Sequence, residues 1–198
     1  AKIEQEDAAT KTVLDPTNNV CWCEEDQIVA FMKTSSVSCY QIKEAYVGSD
    51  QGYFSEVSSG ESDKEEWKEN VVYYPYSEAV KCEKAETGYN LQIDLPSKQT
   101  YTADSFGNHA FPMAAESKDN NFTFKNICGG VKLQLKGSQS LQSIRIEGKN
   151  GEILSGGATV TLDGIGAVPS IAMEAEGSTS VILECNAIQL KEDVATTF

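Results

Sequence analysis

The sequence predicts an all-β protein, a sandwich or barrel of mainly antiparallel strands. Three observations carry that reading. Short runs rich in Val, Ile, Tyr and Phe recur along the chain, and β-branched and aromatic residues suit a pleated, half-buried surface. Clusters of Gly, Ser and Asn separate those runs, as turns require. Apolar residues at helical spacing are nearly missing, whereas period-two alternation is clear in VKLQLKG: Val131, Leu133 and Leu135 share one face, and Lys132, Gln134 and Lys136 take the other. Strand content is therefore expected well above the ~20–25% average, with helix below ~15%.

Residues 1–19 are polar and carry a turn signal at Pro16, Asn18 and Asn19, so they read as a tail or edge strand ahead of a sandwich over 20–198. VCWCEEDQIVAFMK (20–33) holds two apolar runs split by an acidic turn, and VSCYQI, AYV and GYFSEV repeat the pattern. ESDKEEWKEN (61–70) is the one segment with a helical signature, Ser62 standing three residues before Glu65 as in a capping box. VVYYPY, LQIDL, FPMAA, FTFKNI, GGVKLQLKG, LQSIRIEG, ATVTL, SIAMEA and SVILEC follow as strands. GEILSGGATVTLDGIGAVPS (151–170) is rich enough in Gly and Ser to turn a corner between sheets or mark a domain boundary, with the start of a second sandwich expected near 165–198. Trp22, Phe31, Leu133, Leu135, Ile144 and Ile146 are expected in the core.

The chain has 198 residues, enough for one generous domain or two small ones. Sixteen Lys plus Arg against 30 Asp plus Glu give a net charge of -14, which repels phosphate backbones and anionic membranes. Nucleic acid is excluded as a partner on that ground. With Arg145 the sole arginine and His109 the sole histidine, phosphate clamps and imidazole chemistry lose their usual groups. No stretch approaches 18 consecutive apolar residues.

The remaining constellations point away from catalysis. Cys21 and Cys23 are spaced C-x-C rather than C-x2-C, without a second ligand pair, so they read as structural thiols or a disulfide and not as a zinc site. His109 lies in the polar loop SFGNHAF with no nucleophile signature beside it. SDQGYFSE (49–56) resembles a calcium loop only weakly and reads as a turn between strands. No catalytic, cofactor-binding or metal-ligating residue is assigned. Tyr73, Tyr74 and Tyr76 in VVYYPY form a candidate binding surface, because tyrosine offers both a flat apolar face and a hydroxyl to a sugar; the stronger reading of the same run has Tyr74 and Tyr76 alternating into a core or rim around the strand-ending Pro75.

Several longer segments resemble the fimbrillin-like surface proteins of Bacteroides-type bacteria. They are TKTVLD (10–15), VCWCEEDQIVAF (20–31), VVYYPY (71–76), LQIDLPSKQTY (91–101), FPMAAES (111–117), FTFKNICGGVKLQLKG (122–137) and IRIEGKNGEILSGGATV (146–160). Their order and spacing carry the likeness, not any single motif. The resemblance implies a transthyretin-like antiparallel β-sandwich of two packed sheets, usually the first of two such domains, in a secreted lipoprotein on the outer surface. Glu25 stands where that family usually has Gly, no Arg lies near the N-terminus for proteolytic trimming, and the chain stops at DVATTF where a second sandwich would begin. These differences bear on polymerisation more than on fold. The implied function is that of a non-enzymatic fimbrial subunit or tip adhesin, with a carbohydrate-binding surface module as the alternative. The implied partners are other fimbrial subunits, through strand exchange, or a host protein or glycan receptor. Membrane attachment would come through a lipid anchor outside this chain. The exchangeable strand is expected around Thr10 to Leu14, where Val13 and Leu14 are adjacent apolar residues.

Overall fold

The computed structural model describes residues 1–3, 13–14, 20–60, 67–103, 105–107 and 109–198, with the side chains of residues 3, 13 and 14 left aside. About half of the described residues, 49%, are extended, roughly twice the average. The strands run β1 (Lys2–Ile3), β2 (Val13–Leu14), β3 (Val20–Cys21), β4 (Gln27–Phe31), β5 (Ser38–Ile42), β6 (Phe54–Ser58) and β7 (Asn70–Tyr74). Next come β8 (Lys81–Lys84), β9 (Tyr89–Leu95), β10 (Lys98–Thr100), β11 (Met113–Ser117), β12 (Thr123–Asn126) and β13 (Gln134–Leu135). The last five are β14 (Ser140–Glu147), β15 (Gly156–Leu162), β16 (Ser170–Met173), β17 (Ser180–Gln189) and β18 (Thr196–Thr197). A 3-10 turn at Glu44–Tyr46 interrupts them. Among the described residues no helix is long and apolar enough to cross a membrane.

Two sheets form the sandwich. A seven-stranded sheet, ordered β1-β12-β11-β7-β4-β5-β6, faces a four-stranded sheet ordered β16-β15-β9-β8. Every pairing in them is antiparallel except β1 with β12. The four-stranded sheet shows the alternation expected of a sheet with one wet face. Tyr89, Leu91 and Ile93 of β9 and Ala158, Val160 and Leu162 of β15 point inward, against Val29, Phe31, Val71 and Tyr73 of the larger sheet.

The larger sheet is different, because its centre is buried on both faces. All five residues of β7 and all five of β11 are buried. The face turned away from the sandwich carries a second apolar cluster, with Val20, Trp22, Ile28, Val72, Tyr74, Met113 and Phe124 among its members. Phe111 belongs to that cluster and Phe106 packs against it. Burial on two sides explains the continuous apolar run in VVYY, since neither face of such a strand is left for polar residues.

Three further strands make a separate sheet, β10-β17-β14, with β10 parallel to β17, and a ribbon pairs β13 with β18. The Gly/Ser-rich stretch does turn a corner: it leads from β14 in the small sheet to β15 in the sandwich, and later strands join both, β16 pairing with β15 and β17 with β14. The helix expected over 61–70 lies mostly outside the described residues, and Trp67 to Glu69 are not helical. Of the segment expected to exchange, residues 10–12 lie outside the described residues, while Val13 and Leu14 pair with Cys21 and Val20.

Burial corrects part of the expected core. Trp22 and Phe31 are 1% and 0% exposed, but Leu133, Leu135 and Ile144 are half-buried and Ile146 is exposed. The alternation that placed them on one face is real. What differs is what lies over Leu133, Ile144 and Ile146, an open cleft instead of a packed layer.

Candidate functional site

The cleft, of about 260 Å³, runs between the small sheet and the sandwich. One wall follows directly from strand register. Ile144 of β14 stands opposite Leu183 of β17, and Ile146 opposite Val181. Residues directly opposite in an antiparallel pair share a face, so these four side chains form one apolar surface. Gln99, opposite Leu183 on the other side of β17, is a polar group on the same wall.

The facing wall is built from Leu95 at the end of β9, Pro96 after it, Phe106, Phe111, Leu133 and the ring of Phe198. Phe106 and Phe111 pack on each other with centroids 4.8 Å apart, and Phe198 packs on Tyr101 at 5.0 Å. Gly130 belongs to the lining for a steric reason, since a Cβ there would stand 3.0 Å from the edge of the Phe106 ring.

β14 also has an unpartnered side among the described strands. It is the terminal strand of its sheet and is eight residues long. One of its faces carries Ile144 and Ile146 into the cleft. The other carries Arg145 and Glu147, which form an exposed ion pair at 3.2 Å. An edge strand with one apolar and one charged face offers backbone N–H and C=O groups to an incoming strand together with a surface for alternate side chains.

The tyrosines proposed from sequence are placed elsewhere. Tyr73 and Tyr74 are 3% and 0% exposed, Tyr73 in the sandwich core and Tyr74 in the cluster behind the larger sheet. The Tyr74 hydroxyl donates to buried Asp26 at 2.9 Å, and the Cys23 N–H donates to the same carboxylate at 2.6 Å. Tyr76 is half-buried against the sandwich core. The trio therefore forms no common surface, because β7 is a central strand covered on both sides. His109 occupies a turn with φ +60° and sets its ring edge against Tyr74 at 6.1 Å. Burial pushes the thiols of Cys39, Cys82, Cys128 and Cys185 above their ordinary range, which leaves them poor nucleophiles. Among the described residues no group of His, Cys, Asp and Glu is arranged to hold a metal ion.

One buried charge stands out at the end of the sandwich. Glu116 on β11 is 7% exposed, and no group among the described residues makes a well-formed hydrogen bond to its carboxylate, the Gly164 N–H only approaching it. Burial first, and then the Glu69 carboxylate, hold its pKa above the usual range; the nearby Gly164 amide works against them, and Asp163 adds to the rise. A carboxyl whose folded pKa is raised contributes its full stability below the unfolded value and loses it as pH rises through the folded value. Glu116→Gln is therefore expected to stabilise the protein at pH 7 by roughly 1 kcal/mol, discounted for the solvent that reaches this end of the sandwich. At pH 4 the gain should vanish. Urea unfolding at the two pH values measures it, and equal effects at both would refute the assignment.

The fold and the cleft together define an all-β sandwich protein with an open strand edge beside an apolar channel. No family model, curated protein or solved structure matches the chain.

Proposed function

We propose that this chain is a non-enzymatic cell-surface module of the fimbrillin type, a fimbrial subunit or tip adhesin that accepts a strand from another subunit. The observation that supports the reading is the coincidence of the β14 edge, open among the described strands, with the apolar cleft under Ile144 and Ile146. Strand addition draws affinity from main-chain hydrogen bonds and specificity from pockets that take every second side chain. β14 supplies the first and the cleft the second. In this reading the module works outside the cell, at the outer-membrane surface, attached through a lipid anchor.

Light scattering of the intact protein over a range of concentrations tests it. Because β14 ends its sheet among the described strands, oligomers are expected as concentration rises, and Ile144→Lys is expected to keep the protein monomeric while leaving the far-ultraviolet circular dichroism unchanged. Protein that stays monomeric at every concentration, or oligomers that form equally well in the Ile144→Lys variant, would count against the strand-acceptor reading.

A further inference from the structure

Among the described residues, Tyr46 and Tyr53 are the exposed aromatic residues that stand together on the surface, at 39% and 57% exposure. Their ring centroids are 6.4 Å apart with an interplanar angle of 30°. They sit at the far edge of the seven-stranded sheet, Tyr46 closing the 3-10 turn and Tyr53 entering the edge strand β6. Lys43 extends its ammonium over the Tyr53 ring, 4.5 Å from the centroid.

The backbone that carries the pair is held on all sides. The Lys43 N–H donates to the Tyr53 carbonyl at 2.9 Å, the Gly48 N–H to the Trp22 carbonyl at 2.8 Å, and the Trp22 N–H to the Ser49 carbonyl at 2.9 Å. The Gly52 N–H donates to the Ala1 carbonyl at 2.8 Å. Gly52 itself is pressed onto the core, where a Cβ would stand 2.6 Å from the Ile42 side chain and 2.9 Å from Trp22. Two phenol rings are thus presented to water from a backbone segment tied to the sheet. A pre-organised surface of this kind avoids the ordering cost that weakens most binding.

We infer that Tyr46, Tyr53 and Lys43 form a binding platform for a neutral saccharide. Size separates this from a protein partner. An aromatic side chain carries ~150–250 Å², so at these exposures the pair offers about 200 Å², far short of the ~800 Å² per partner of a stable protein interface. It matches one or two sugar rings. Charge excludes other ligands: a net charge of -14 repels nucleic acid and anionic lipid, and Glu44 and Asp50 flank the pair on the same segment. A pyranose has an apolar C–H face and a rim of hydroxyls. The face lies on the tyrosine ring in place of Lys43, whose ammonium then donates to the rim, with the Gln51 amide and the two phenols as further partners. This site is separate from the β14 cleft, and its success or failure leaves the strand-acceptor reading untouched.

The test is titration calorimetry against cellotetraose, maltotetraose, mannotetraose and N-acetyllactosamine. At least one is expected to bind in the millimolar range or tighter. Tyr53→Ala and Tyr46→Ala should each weaken that binding about tenfold or more, as loss of an aromatic anchor does, while Tyr53→Phe stays within about threefold. Both rings are exposed, so melting temperatures should hardly move, which separates lost contact from lost fold. Absence of binding to all four saccharides, or binding that survives both alanine substitutions, would overturn the inference.

Discussion

Trp22→Ala is expected to cost about 3–5 kcal/mol, the range for truncating a fully buried large aromatic. Trp22 is 1% exposed and receives three rings edge to face: Phe54 at 4.9 Å, Phe124 at 5.3 Å and Tyr74 at 5.7 Å. These come from β6, β12 and β7, so the indole joins the far edge, the opposite end and the centre of one sheet. Against a total stability of roughly 5–15 kcal/mol, such a loss leaves the chain near its unfolding threshold. Thermal unfolding followed by circular dichroism should show the midpoint falling by roughly 10–15 °C. Trp22→Phe, which keeps an aromatic ring in the site, should lose less than half as much. A loss under about 1 kcal/mol for the alanine variant would mean that the cluster repacks freely, which close-packed interiors do not do.

Gly88→Ala is expected to cost about 3 kcal/mol or more, beyond the usual range for a turn position. Gly88 ends the turn that joins β8 to β9, with φ +67°, and its carbonyl accepts from the Ala85 N–H at 3.1 Å. Two penalties add there. The left-handed backbone disfavours any side chain by roughly 1–2 kcal/mol. A Cβ would also stand 1.8 Å from the Leu162 carbonyl oxygen, which forces β9 and β15 apart at the end of their ladder. Gly151 separates the two effects, since it has φ +83° and no neighbouring atom within 4 Å of the place a methyl group would take. Gly151→Ala should therefore cost only the conformational share. Chemical denaturation of both variants gives the difference directly, and equal losses would show that the approach to Leu162 carries no weight.

Much of this architecture was legible in the chain. QIVAF, VVYY, LQIDL and FTFK became strands as read, and the Gly/Ser-rich segment after β14 became a corner between sheets. Trp22 and Phe31 were recognisable as core because large apolar residues in strand context have nowhere else to be buried. The tyrosines of VVYY form no exposed surface for a definite reason. Period-two reasoning assigns one side of a strand to water, yet β7 lies between β11 and β4 with apolar clusters on both faces. The pair that does stand exposed, Tyr46 and Tyr53, lies in AYVGSDQGYF, where the run gives no sign that the two rings meet. They meet because hydrogen bonds from Trp22 and Ala1 fold that segment onto the sheet.

The sequence by itself determined the class of the fold, the positions of most strands and which residues along each strand share a side. Those are local properties, set by backbone geometry and by the alternation of side chains two residues apart. Only the tertiary structure decided what covers each side. Ile144 and Ile146 follow the same pattern as Leu91 and Ile93, yet one pair lines an open cleft and the other fills a core. The difference is made by partners distant in the chain, β15 closing against β9 while β14, among the described strands, ends its sheet with β17 as its neighbour. Burial is a property of the surface brought opposite, and long-range pairing brings it there.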